Sequence, residues 1–117
     1  MVRSVLVVDD DAYVRELLSN ICAHAGAEVV TASDGEEGLE CVKAKRLDLI
    51  FVDVRMPVLD GIEFSKKVIQ KTPHQRIVLM SGTMIEGDMD KNLKEKVFFL
   101  VKPFKVATIQ EILSSLK

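Results

Sequence analysis

The chain has no tryptophan, one tyrosine and two cysteines in 117 residues, and each shortage removes a class of protein. Cys22 and Cys41 lack the C-x-x-C spacing of a zinc or redox motif, and both fall in segments of helical period, so they read as reduced core fillers. Aromatics are few, the formal charge is −2, and the longest basic run is Lys43-Ala44-Lys45-Arg46. That balance argues against a nucleic-acid surface. The longest apolar run, Val97 to Val101, is far too short to cross a bilayer. Met1-Val2-Arg3 leads straight into a strand-like segment, so no signal peptide is expected and a cytoplasmic location is.

What remains is a soluble globular composition, 48% hydrophobic and 29% charged, long enough to bury one core. Residues 1–117 are expected to form one domain. Five apolar, β-branched runs, Ser4–Asp9, Glu28–Ala32, Leu47–Asp53, Arg76–Ser81 and Val97–Val101, alternate with segments of helical period. Several runs are continuously apolar, as strands covered on both faces are.

The helices are expected as follows. Val14, Leu17, Leu18, Ile21 and Ala25 recur at helical spacing before a stop at Gly26. Glu36–Lys45 follows Asp34-Gly35, Gly61–Lys71 follows Asp60, and Ile109, Ile112, Leu113 and Leu116 form a last stripe. Asp60 reads as the N-cap of its helix and stays out of the site. The fourth segment, Glu86–Lys96, has sparse apolar positions at Ile85, Met89 and Leu93 and an early Gly87, so a short helix is expected. The β-α alternation predicts helices on both faces of a parallel sheet, a three-layer sandwich.

In such sheets ligands bind outside the carboxyl ends of the strands. Asp9, Asp10, Asp53, Ser81 and Lys102 all stand at such ends. Two carboxylates about 4 Å apart repel by roughly 4 kcal/mol at an effective dielectric of 20, a large share of a domain's net stability. A divalent cation held through oxygens would offset this; protonation of one acid would too. Magnesium suits the first solution, with Asp10 and Asp53 as direct ligands and Asp9 acting through a water. An Asp after a strand is also a common helix N-cap, but three converging acids favour the cation.

Lys102 precedes Pro103, which restricts it to extended backbone and would hold its ammonium beside the acids. Ser81 ends Ile77-Val78-Leu79-Met80-Ser81-Gly82-Thr83 with a hydroxyl able to donate to an oxyanion; a turn Ser before a turn Gly is the plainer alternative. His24 and His74 lie away from the cluster, which disfavours a Ser-His-Asp hydrolase and a zinc site. Carboxylate, hard cation, hydroxyl and ammonium together suit phosphoryl transfer, with Asp53 as the candidate nucleophile.

Through Val7-Val8-Asp9-Asp10-Asp11, Asp53-Val54-Arg55-Met56-Pro57-Val58-Leu59-Asp60-Gly61, Met80-Ser81-Gly82 and Val101-Lys102-Pro103-Phe104, the chain resembles the receiver domain of two-component response regulators over nearly its whole length. The resemblance implies a flavodoxin-like (βα)5 fold with strand order 2-1-3-4-5. It implies phosphorylation of Asp53 by the phosphohistidine of a sensor histidine kinase or a histidine phosphotransfer domain, and Mg2+ held by Asp9, Asp10, Asp53 and the backbone carbonyl of Arg55. Ser81 and Phe99 would be switch residues and Lys102 the counter-cation. The reaction would be self-catalysed phosphotransfer and autodephosphorylation, the product would bind an effector left unspecified, and a phosphorylation-dependent homodimer is among the expected partners. Such a domain binds neither nucleic acid nor membrane itself, and is not an enzyme acting on an external substrate.

Some residues depart from the family pattern. Lys94-Glu95-Lys96 stands where a Gly-Ala pair is common, Phe99 lacks a tyrosine hydroxyl, and Arg55 and Thr83 occupy positions that tune the lifetime of the phosphoryl group. Two other readings compete. A haloacid-dehalogenase-type phosphatase would use Asp9-x-Asp11, but that motif calls for Thr or Val where Tyr13 stands, and the chain is short for it. An unphosphorylated interaction module would keep the fold, although every residue the chemistry requires is present. No output domain follows Lys117, so a stand-alone receiver and an excised one are equally expected.

Overall fold

A computed structural model describes residues 2–82 and 91–115. The strands are β1 (Ser4–Val8), β2 (Glu28–Ala32), β3 (Leu49–Asp53), β4 (Ile77–Ser81) and β5 (Val97–Val101). Between and after them come α1 (Ala12–His24), α2 (Gly35–Ala44), α3 (Gly61–Lys71), α4 (Lys91–Lys94) and α5 (Val106–Ser115). All strand pairs are parallel, in the order β2-β1-β3-β4-β5. This is the expected (βα)5 flavodoxin-like architecture.

The continuous apolar runs have a simple cause. Alternate residues of a strand point to opposite faces, and here each face carries its own core. Leu6, Val8, Ile50, Val52, Ile77 and Leu79 pack with Phe64, Val68 and Ile69 of α3 and Leu93 of α4. Val5, Val7, Leu49, Phe51, Val78 and Met80 pack with Leu18, Ile21 and Cys22 of α1 and Ile109 and Leu113 of α5. Cys22 is buried in the second layer and Cys41 packs against the first, both as free thiols, as the filler reading expected. Burial pushes the Cys22 thiol up to about 11, which makes it a poor nucleophile.

Helix ends follow side-chain chemistry. Asp11, Asp34 and Asp60 each accept a bond from a first-turn N–H, those of Tyr13, Glu37 and Glu63, at 2.9 Å. Asp60 is thus the N-cap that was expected. Gly26 closes α1 with φ 94°, a left-handed conformation natural to glycine.

Several boundaries differ from expectation; α2 runs Gly35–Ala44, one residue earlier at each end than the expected Glu36–Lys45. β1 stops at Val8, although the Asp9 N–H still reaches the Ala32 carbonyl at 3.1 Å. β3 begins at Leu49, not Leu47, because Asp48 turns its carboxylate back onto the N–H groups of Arg3 and Ser4, at 2.9 and 3.0 Å. β4 begins at Ile77, one residue after Arg76. Of the expected helix Glu86–Lys96, residues 86–90 lie outside the described residues; among those described α4 covers Lys91–Lys94, and Glu95 and Lys96 bond back to Lys91 and Leu93 as a turn that feeds β5. Ile85, Gly87 and Met89, with Thr83 and Leu116, lie outside the described residues.

Candidate functional site

The register of the sheet assembles the acids. β1 and β3 are neighbours with Val8 opposite Val52, so Asp9 and Asp53 emerge side by side from the same sheet edge. Asp10 follows in the loop that leads to α1. One carboxylate oxygen from each of the three lies within 4.8 Å of the others. Asp9 is fully buried, Asp53 is 9% exposed and Asp10 is exposed.

Opposite charge arrives from two strands away. β5 pairs with β4, and Lys102, the residue after β5, donates its N–H to the Ser81 carbonyl at 2.7 Å. Its Nζ stands 3.0 Å from Asp9 Oδ2 and 3.5 Å from Asp53 Oδ2. The peptide between Lys102 and Pro103 is cis.

Burial pushes the Asp53 carboxyl above its usual range, and the Asp9 charge adds to that; Lys102 and the Arg55 backbone N–H oppose the shift without cancelling it. Burial alone would favour the neutral amine of Lys102, but its bonds to Asp9 and Asp53 outweigh burial and raise its pKa. The ammonium is therefore secure at neutral pH. Three carboxylates facing one ammonium leave the cluster short of positive charge, and an all-oxygen donor set suits a hard cation.

Asp9 uses both carboxylate oxygens within the protein: Oδ1 accepts from the Asp11 N–H at 2.9 Å and Oδ2 from Lys102. Its backbone carbonyl accepts from Arg15 Nη1 at 2.7 Å. Sequence reasoning missed Arg15. The available signal was its position in the opening turn of α1, where the helix dipole disfavours a cation.

Ser81 is the last residue of β4 and is buried, one position past the Asp53–Met80 pairing. Phe99 is half-buried against the α3 layer, opposite Leu79, whereas its neighbour Phe98 is 50% exposed. Arg55 is exposed beside the acids and contributes the backbone N–H noted above. Asp9, Asp10, Asp53, Arg55, Ser81 and Lys102 thus lie at one edge, and Phe99 lies further back along β5, opposite Leu79.

The α3 helix starts directly against this edge. At Gly61 an added Cβ would sit 2.3 Å from the Asp53 carbonyl oxygen, so only glycine permits that approach. Just before it, Val58 holds φ 72° while 69% exposed, an unfavourable conformation for a β-branched residue. A groove of about 690 Å³ lined by Asp10, Arg55, Met56, Pro57, Asp60 and Lys66 opens beside the acids.

The family model described as the response regulator receiver domain matches residues 5–114. The chemotaxis protein CheY of Thermotoga maritima is 32% identical over 116 residues, which cover 97% of each chain. A protein-glutamate methylesterase/protein-glutamine glutaminase of Hahella chejuensis is 39% identical over 85 residues, 72% of this chain but 24% of that longer protein. Among solved structures, the chemotaxis protein CheY4 of Vibrio cholerae superposes with a TM-score of 0.89 at 32% identity, over 100% of both chains.

Proposed function

The chain belongs to the response regulator receiver domain family, and we propose that Asp53 is its phosphoacceptor, with residues 1–117 acting as one receiver unit. The observation that carries this reading is the Lys102 ammonium set between the buried Asp9 and Asp53, 3.0 and 3.5 Å away.

An Asp53 carboxylate oxygen attacks the phosphorus of a phosphohistidine on a sensor histidine kinase or a histidine phosphotransfer domain. The O–P bond of an acyl phosphate forms and the P–N bond breaks. The imidazole nitrogen leaves with the electron pair and takes a proton from solvent. Mg2+, when bound, neutralises charge on the phosphoryl oxygens. Asp10, Asp53 and the Arg55 carbonyl would hold it directly. Asp9, whose two oxygens are already engaged, would act through a water.

Lys102 is placed to pair with the incoming phosphoryl group, and the Ser81 hydroxyl to donate to one of its oxygens. That pull on Ser81, together with movement of Phe99, biases α4, β5 and α5 between two packings and changes what this face binds. With Phe99 in place of a tyrosine, packing alone carries the signal. The partners are the kinase or phosphotransfer domain and a downstream effector, with a phosphorylation-dependent homodimer as one output.

The domain turns over no external substrate; it catalyses its own phosphorylation and dephosphorylation. It works in the cytoplasm without itself binding nucleic acid or membrane. No helix among the described residues is long and apolar enough to cross a membrane.

The test is intact mass spectrometry after incubation with acetyl phosphate or phosphoramidate and Mg2+. One added phosphoryl group, absent in Asp53→Asn and in EDTA, is the expected result. A chain that gains none from either donor, nor from a phosphorylated kinase, is not a phosphoacceptor.

A further inference from the structure

We propose that Arg15 is a positioning residue for the cation site, acting through the Asp9–Asp10 peptide to aim the Asp10 carboxylate. This rests on the reading of the three acids as a Mg2+ site. The carbonyl that accepts from Arg15 Nη1 at 2.7 Å belongs to the planar unit that also contains the Asp10 nitrogen. Holding one end of that plane sets the direction in which the Asp10 side chain leaves the backbone.

Its neighbours are otherwise well held. The Asp9 N–H bonds to the Ala32 carbonyl, its Oδ1 accepts from Asp11 and its Oδ2 from Lys102. Asp11 caps α1 through the Tyr13 N–H. Asp10 is exposed, and among the described residues no hydrogen bond or ion pair engages its carboxylate. Its place within 4.8 Å of the other two acids therefore depends on the backbone on either side, and Arg15 secures the preceding peptide.

Arg15 also avoids the obvious alternative. Three aspartates lie within six residues of it, yet it makes no ion pair with any of them and donates to the main chain instead. A guanidinium bound to those carboxylates would compete with the cation. Bonded to the carbonyl, it leaves the Asp10 oxygens free.

The proposal and simple electrostatics predict opposite signs. Arg15 is a positive charge near a cation site, so by Coulomb's law its removal should tighten cation binding. Loss of positioning should weaken it, by about 10-fold on the scale of lost outer-sphere partners. The measurement is Mn2+ affinity of the unphosphorylated full chain by electron paramagnetic resonance, with Mn2+ standing in for Mg2+ in an oxygen site. Circular dichroism confirms that each variant is folded.

Arg15→Ala is expected to bind Mn2+ about 10-fold more weakly. Arg15→Lys, which can still donate to the carbonyl, should recover most of that loss. In an Asp10→Asn background Arg15→Ala should change affinity by less than about twofold, because the two residues act as one unit. If Arg15→Ala melts below the assay temperature, Arg15→Met keeps the apolar stem and is read in its place. Unchanged or tighter binding in the variant, with a wild type that binds, overturns the role of Arg15 alone. A wild type that binds no Mn2+ overturns the cation site and this role together, while phosphorylation of Asp53 is tested separately by mass.

Discussion

Replacing Lys102 by methionine removes the charge that offsets the acids and keeps most of the side-chain volume. Asp9 and Asp53 have carboxylate oxygens within 4.8 Å, where two like charges repel by roughly 3.5 kcal/mol at an effective dielectric of 20. Lys102 is nearer to each acid than that limit, at 3.0 and 3.5 Å, so its attraction to either one is the larger gross effect. Desolvation offsets much of it. Breaking a fully buried pair costs about 3–5 kcal/mol, and the Lys102 side chain is 23% exposed, which places the expected loss at about 2–3 kcal/mol. For a domain of this size that is a fall in Tm of about 10 °C.

The assay is thermal and urea unfolding of Lys102→Met beside wild type, in EDTA at neutral pH. Two conditions should narrow the gap. Mg2+ should narrow it by supplying the missing positive charge. Acid should as well: the Asp53 pKa is raised, so as pH falls through it the carboxylate protonates and its repulsion with Asp9 disappears. On the alkaline side the Lys102 pKa is raised, so its contribution holds below the ordinary value of 10.5 and is lost only as pH climbs through the higher folded one. A variant within about 0.5 kcal/mol of wild type in EDTA, or a gap that widens in acid, would refute the reasoning.

Asp10→Asn is expected to raise Tm in EDTA, because it removes an exposed like charge without a partner, and to show a smaller further gain with Mg2+ than wild type; a wild type that melts equally in both buffers would contradict the cation reading. Val58→Gly should raise stability by about 0.5–1 kcal/mol, since it relieves the left-handed φ of 72° at a cost in chain entropy and little packing, measured by urea unfolding. Asp48→Ala should cost about 1 kcal/mol at pH 7 by losing bonds to the Arg3 and Ser4 N–H groups. These bonds lower the Asp48 pKa, so the stabilisation is present above the ordinary carboxylate value and is lost as pH falls through the folded one. The gap to wild type should close in strong acid.

The placement of the acids, Ser81 and Lys102 was legible in the sequence because each closes or soon follows an apolar strand, and a parallel sheet brings the carboxyl ends of its strands to one edge. Asp60 was separable from them by the same local logic, as a cap. Other features had no local signal. The unsplit stretch from Leu47 reads as one strand, and only contact with Arg3 and Ser4, more than 40 positions away, takes Asp48 out of it. Val58 looks like any loop residue until the chain must turn from β3 into α3 within a few residues.

Arg15 shows the limit most clearly. Its position on an opening helical turn is visible in the chain, but its use depends on where a guanidinium at the end of a long side chain comes to rest. By itself the sequence determined the alternation of elements, the two-sided core and the identity of the acids, because periodicity and strand ends are local properties. The tertiary structure decided which acid is buried and already engaged, which stands open to a cation, and where the opposing charge comes from. Those outcomes depend on strand order, register and the reach of Lys102 and Arg15, all of which join residues distant in the chain or set by packing.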